Sequence, residues 1–194
     1  MSADNKTRFE VQRIIRNAII AALKYDGYDP DKYVVMEANQ RSITAKKEAI
    51  LFKMTDSQRH GWQATKFRVE KDDEGVVTDF LKDDCFIDEQ TWLISVMTKR
   101  PNTDNNPGTI TAETRLSEDV AQSLIAWFNG PGCFELRKEG VSNLYIKEKP
   151  VEVYKDDSSL YEKSASFRIK LLIPKRITHE SPAAEVEFKG FVPI

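Results

Sequence analysis

Apolar and polar positions alternate with a period of two near the C-terminal end of the chain. Tyr161, Ala165, Phe167, Ile169, Leu171 and Ile173 fall on one side of an extended backbone, and Glu162, Ser164, Ser166, Arg168 and Lys170 fall on the other. A strand of about a dozen residues rising roughly 3.3 Å per residue reaches about 40 Å, longer than a usual strand. It is expected to cross its domain or to project beyond it.

Two segments have helical spacing instead. Thr7 and Glu10 stand at the capping-box interval, with Val11, Ile15, Ala18, Ile19 and Ala22 behind them, and Gly27 and Pro30 mark the end. Arg13, Arg16 and Lys24 occupy the opposite face, as an ordinary solvated face or as a grip for phosphate or an acidic neighbour. Ser117 is read as the cap of a second helix. Glu118 and Asp119 suit its N-terminal dipole, Val120, Leu124, Trp127 and Phe128 form its apolar stripe, and Gly130-Pro131-Gly132 stops it.

Strands are expected elsewhere. Tyr33 to Ala38 is a short Val-rich apolar run, Ala49 to Thr55 is read as a further strand or an extended arm, and Trp62 to Glu70 as a polar strand with Phe67 and Val69 on one face. Thr91 to Thr98 has apolar residues of both parities, as in a central strand covered on both sides. Short strands are expected around Phe134 and Leu136, Leu144 and Ile146, Val151 and Val153, and Val186 and Phe188. The sum is an α+β fold, a mostly antiparallel sheet flanked by two main helices, with long loops and one extended strand.

The 194 residues, 40% of them hydrophobic, suffice for one domain spanning the chain with a proper core. With 29 basic against 31 acidic residues, no overall field recruits duplex DNA or an anionic membrane. No apolar run approaches the roughly 20 residues of a membrane span, and the polar MSADNKTRFE start is unlike a secretory signal. Cys85 and Cys133, without any CxxC spacing, are read as buried free thiols in a reducing compartment. No linker or internal repeat divides the chain.

Between residues 71 and 90 acidic side chains dominate, with Asp72, Asp73, Glu74, Asp79, Asp83, Asp84, Asp88 and Glu89 set against Lys71 and Lys82. The fixed spacing of a calcium loop is missing, so a solvated or partner-facing acidic loop is expected. A second polar loop, Pro101 to Thr109, has the length that often carries function; Lys99, Arg100, Asn102 and Asp104 in and beside it join the candidate contact residues. Asn39, Gln40 and Arg41 directly follow an apolar strand, where such residues either order a loop or meet a partner. His60 and His179 sit in polar contexts and read as surface or loop residues. No nucleophile elbow, phosphate loop or dinucleotide fingerprint occurs, so no catalytic residue, cofactor or metal is assigned. A carboxylate site assembled in space remains an alternative.

The order of elements resembles the neck and tail terminator proteins of long-tailed bacteriophages. The resemblance is carried by the N-terminal helix, VVMEANQ at Val34 to Gln40, the helix from Ser117 to Asn129 running into WFNGPG, and YEKSASFRIKLLI at Tyr161 to Ile173. It covers most of the chain, which departs from the pattern at Lys163 and Ser164, where a more basic pair is usual. It implies a structural virion protein at the head-tail junction, made in the bacterial host cytoplasm. Such a protein forms a ring, usually of six copies, that caps the tail tube, stops its polymerisation and joins the tail to the neck or head-completion proteins and possibly the sheath. DNA passes through its lumen as cargo, and the acidic residues at 72 to 74, 83 and 84 would line that lumen or face a neck partner. Another head-tail connector, a head-completion protein or a baseplate adaptor is the alternative within the virion.

Overall fold

The computed structural model describes residues 5–38, 48–99, 117–155 and 162–182. Three α-helices, α1 (Arg8–Tyr25), α2 (Ser117–Asn129) and α3 (Gly132–Lys138), lie with six strands: β1 (Tyr33–Glu37), β2 (Glu48–Lys71), β3 (Val77–Lys99), β4 (Ser142–Asn143), β5 (Val151–Lys155) and β6 (Glu162–Pro182). The strands form one sheet in the order β1-β2-β3-β6-β4, with β5 also paired to β6. Every pairing is antiparallel except that of β1 with β2. The expected α+β architecture is therefore what the chain adopts.

Periodicity explains the body. Trp92, Ile94 and Val96 of β3, Ile50 and Phe52 of β2, and Ala165, Phe167, Ile169, Leu171 and Ile173 of β6 are all buried on one face. Across the strands Trp92 faces Met54 and Ile169, and Ile94 faces Phe52 and Phe167. Helix α2 lays Val120, Leu124, Trp127 and Phe128 on this surface and packs against β3 and β6; α1 packs beside it against α2, α3 and β1. The capping box of α1 forms as its spacing predicts: Thr7 N–H donates to Glu10 Oε2 at 2.6 Å and Glu10 N–H donates to Thr7 Oγ1 at 3.3 Å. Arg13, Arg16 and Lys24 lie exposed on its outer face. Ser117 is the first helical residue rather than a working cap, its hydroxyl buried without a hydrogen-bond partner among the described residues.

Several expected elements differ. Residues 49–55 and 62–70 are one continuous strand, kept continuous past irregular points by register shifts at Met54/Asp56, His60/Ala64 and Glu70/Lys71. The middle shift contains Gly61 at φ +74°, a left-handed conformation that a bulge demands and glycine supplies cheaply. The acidic window is not a loop: only a tight turn at residues 72–76 separates β2 from β3, and the acids beyond it belong to β3. Thr91 to Thr98 is covered by helices on one face only, since Leu93, Ser95 and Met97 on the other are half-buried. His60 and His179 lie on strands, solvent-accessible as expected. Cys85 and Cys133 are free thiols, half-buried rather than buried.

WFNGPG is a device of the fold. The Cβ of any other residue at position 132 would stand 2.4 Å from Trp127 Cε3, so glycine lets the chain turn tightly against the indole. Asn129 spends its carboxamide on the backbone of Ile146, donating to the carbonyl at 2.9 Å and accepting the N–H at 2.8 Å. That claim on Ile146 holds it off any strand ladder, and no strand forms at Leu144 and Ile146; the two-residue β4 lies just ahead of them at Ser142–Asn143. The strand expected at Phe134 and Leu136 is instead the short helix α3, which buries Leu136 and leaves Phe134 exposed. Val186 and Phe188 lie outside the described residues.

Gly132→Ala is expected to destabilise the protein by about 1–3 kcal/mol through overpacking against Trp127, whereas Phe134→Ala, at an exposed site, should change stability little. Urea denaturation of the two variants checks this, and equal stabilities would refute the packing account.

Candidate functional site

Strands β2, β3 and β6 run for 24, 23 and 21 residues, about four times the usual strand. The helices cover only their halves near Ile50, Ile94 and Phe167. Beyond Arg59, Asp88 and Ile173, which stand in register, the three strands continue as an arm without helical cover among the described residues, roughly 36 Å long if its 11 residues of β3 rise about 3.3 Å each. The alternating strand seen in the sequence thus lies in the body up to Ile173 as the first part of β6, and the continuation of β6 from Pro174 projects beyond it in company with β2 and β3.

A chain of side-chain bonds on the helix-facing side marks where core gives way to arm. Trp92 Nε1 donates to Gln90 Oε1 at 3.2 Å, Gln90 Nε2 donates to Asp88 Oδ2 at 2.8 Å, and Ser57 Oγ donates to Asp88 Oδ1 at 2.7 Å. Beyond this seam apolar packing is sparse. Leu81 is buried on β3, and Arg59 lies over the Phe86 ring at 4.5 Å, a cation–π contact.

What holds the arm together besides its backbone ladder is charge. Its central strand supplies carboxylates and both outer strands supply cations and hydroxyls. Asp83, buried, accepts from Thr178 Oγ1 of β6 at 2.7 Å and from Arg68 Nε of β2 at 3.1 Å, with Arg176 Nη1 at 3.6 Å. Asp84, on the opposite face, accepts from Thr65 Oγ1 at 2.8 Å and lies 3.2 Å from His179 Nε2 and 3.4 Å from Lys82 Nζ. Glu89 joins Lys170 Nζ of β6 at 2.8 Å to His60 Nδ1 of β2 at 2.6 Å. Each acid is held below its ordinary range. The Thr178 hydroxyl does most for Asp83, the Thr65 hydroxyl for Asp84 and the Lys170 ammonium for Glu89, against a desolvation that acts the other way. Lys170 is in turn raised by Glu89.

The candidate residues separate accordingly. Asp72, Asp73 and Glu74 form the exposed tip, where Asp72 Oδ1 accepts the N–H groups of Glu74 and Val76 and Gly75 takes φ +82°. Asp83 and Asp84 are turned into the arm and already paired. Lys99 ends β3 opposite Glu162. Asn39, Gln40, Arg41, Arg100, Asn102 and Asp104 lie outside the described residues. Sequence reasoning missed the pairing of His60 and His179 with carboxylates, and also Lys170, Arg68 and Arg176. The available signal was the basic character of β2 and β6 flanking an acidic β3. Among the described residues no three His, Cys, Asp or Glu side chains converge as metal ligands, and no helix is long and apolar enough to cross a membrane.

A depressed carboxylate contributes stability that is fully present above its unfolded value and is lost as pH falls through its folded one. The ordinary values are 3.8 for Asp83 and Asp84 and 4.5 for Glu89, so the arm should keep full protection near pH 7 and lose it progressively below about pH 4. Amide hydrogen exchange over residues 77–91 and 174–182 reads this directly. The triple variant Asp83→Asn, Asp84→Asn, Glu89→Gln should be less protected at pH 7 and less sensitive to acid; protection equal to the parent chain at both pH values would refute the charge account.

A family model described as E217 gateway protein gp29 matches residues 10–183, from α1 through the body and the whole arm. No curated protein matches the chain.

Proposed function

The chain belongs to the E217 gateway protein gp29 family, and from that premise we propose that it is a ring-forming structural protein of the phage neck. This phage gateway family supports a neck-type virion protein at the head-tail junction, a coarser assignment than the tail terminator to which the motifs point. The finer reading is ours. Copies of the chain, six by the resemblance, close a ring that covers the end of the tail tube, halts its growth and offers its other side to the neck or head-completion proteins, leaving a channel for DNA. In this reading residues 1–194 act as one domain and carry no catalytic role.

The observation that best supports it is the arm. A body of ordinary size that extends three strands far past its own core spends ordered backbone where it gains little apolar burial. Such an outlay is understandable where the arm's faces are to be covered by other subunits. The internal pairing of Asp83, Asp84 and Glu89 fits a mechanical part, since it stiffens the arm without recruiting a ligand. A second reading, a neck connector that joins rings without itself ending the tube, is favoured by the breadth of the family assignment.

Native mass measurement and negative-stain imaging of the purified protein, over a concentration range and with tail tubes added, test the proposal. Rings seated on tube ends are the expected result. Rings that ignore tube ends but bind neck proteins would move the assignment to the connector, and a persistent monomer binding neither would overturn both.

A further inference from the structure

We propose that the C-terminal segment, residues 183–194, folds back from the tip of its own arm and covers an apolar cluster on the arm's helix-side face; the contact is intramolecular and does not depend on the ring reading. Residues directly opposite each other in an antiparallel pair share a face. Val69 stands opposite Phe80 and Phe67 opposite Lys82. These rungs continue the face on which Asp84 meets Thr65, Lys82 and His179. Phe67 and Val69, two positions apart on β2, therefore lie side by side, with Phe80 next to Val69 across the strand pair. Phe67 is 78% exposed and Val69 45%. In an arm held otherwise by its ladder and by charge, adjoining apolar side chains left in water gain from being covered.

The chain itself points to the cover. Strand β6 ends at Pro182, opposite Asp79 and so one residue beyond the level of Phe80. The 12 residues 183–194 therefore leave the sheet beside the cluster. Extended at about 3.3 Å per residue they span about 40 Å, enough to return along the whole arm. Their pattern suits the place. Ala184, Val186 and Phe188 fall on one parity, and Glu185, Glu187 and Lys189 on the other. One side of such an extended segment can lie on apolar groups while the other keeps its charges in water. With two or three residues spent on reversing direction, Val186 and Phe188 come level with Phe80 and Phe67, which lie within about 10 Å of the tip by strand rise. A short tether also raises the effective concentration of the segment at its own arm to roughly millimolar, which favours that arm over a neighbour's. The cover works through side chains rather than a strand edge, and it leaves the arm's opposite face to other subunits.

Methyl NMR on the full chain tests this, with Cys85→Ser and Cys133→Ser removing the native thiols and Gly190→Cys carrying a nitroxide. The Val69 methyl signals should lose most of their intensity and recover it when the nitroxide is reduced, while those of Leu124 in the body core stay unchanged. Adding Val186→Asp with Phe188→Asp should abolish the loss, and unaltered body methyl signals show that this variant folds. A methyl-labelled chain without nitroxide, mixed as dilute protein with an unlabelled nitroxide-bearing chain and concentrated together, should show no loss. Loss in that mixture would overturn the proposal by placing the segment on the arm of another copy. Full Val69 intensity in both samples would also overturn it and leave the cluster to another virion protein. Neither result bears on whether the chain forms rings, which native mass reads separately.

Discussion

The unbroken register of β3 against β6 is the constraint on which the rest of the molecule depends. Twenty-one pairs run from Asp79 opposite Pro182 to Lys99 opposite Glu162 without a slip. In the body that register sends Trp92, Ile94 and Val96 to the helices. Carried outward by a period of two, it sends Asp84, Asp88 and Gln90 to the same face and Asp83 and Glu89 to the other. A slip of one residue would turn the core outward and would also separate Asp83 from Thr178 and Glu89 from Lys170. Body and arm are two chemical solutions, apolar and ionic, built on one ladder.

The parts that the sequence made legible are those where burial falls on one face. Helices α1 and α2, β1 and the apolar half of β6 stand where their spacing places them, because helix cover turns the period into an alternation of apolar and polar side chains. The arm offered no such alternation. Asp83, Asp84, Asp88 and Glu89 look like a solvated loop in a one-dimensional reading, since β3 there has no helix above it and its neighbours answer with charge. The partners that make these acids part of a strand come from Thr65 and Arg68 on one side and from Thr178, Lys170 and Arg176 on the other, up to about a hundred residues away in sequence. Local composition does not carry that pairing. The misread helix α3 has a different cause: Phe134 and Leu136 share the parity of a strand, but Gly132 packed on Trp127 and the claim of Asn129 on Ile146 settle the local geometry instead.

The same arrangement clarifies the near-neutral charge of the chain. A balance of 29 basic and 31 acidic residues could describe two opposed patches or an intimate mixture. In the arm it is a mixture, with acids on the inner strand and cations on the outer ones, so little field extends from its length. A duplex passing near such a surface is neither gripped nor strongly repelled along most of it. Among the described residues the turn at Asp72 to Glu74 presents three exposed acids, while Asp83, Asp84 and Glu89 are paired within the arm.

The edges of the arm decide how it can meet a neighbour. An open strand edge invites a further strand, and the length of β6 alone would point to that mode. One edge of β6, however, is occupied throughout by β3. Its other edge pairs with β5 and β4 over part of the body, and in the arm Asn5 holds the backbone of Arg176 as a paired strand would. The outer edge of β2 beyond Phe52 has no strand partner among the described residues, but three register shifts interrupt it, and bulges of this kind twist an edge away from regular pairing. Backbone augmentation is therefore the less suitable mode for this arm. Contact through side chains on its faces and tip is what the geometry leaves open, since those groups, Phe67 among them, are exposed while the strand edges are occupied or irregular.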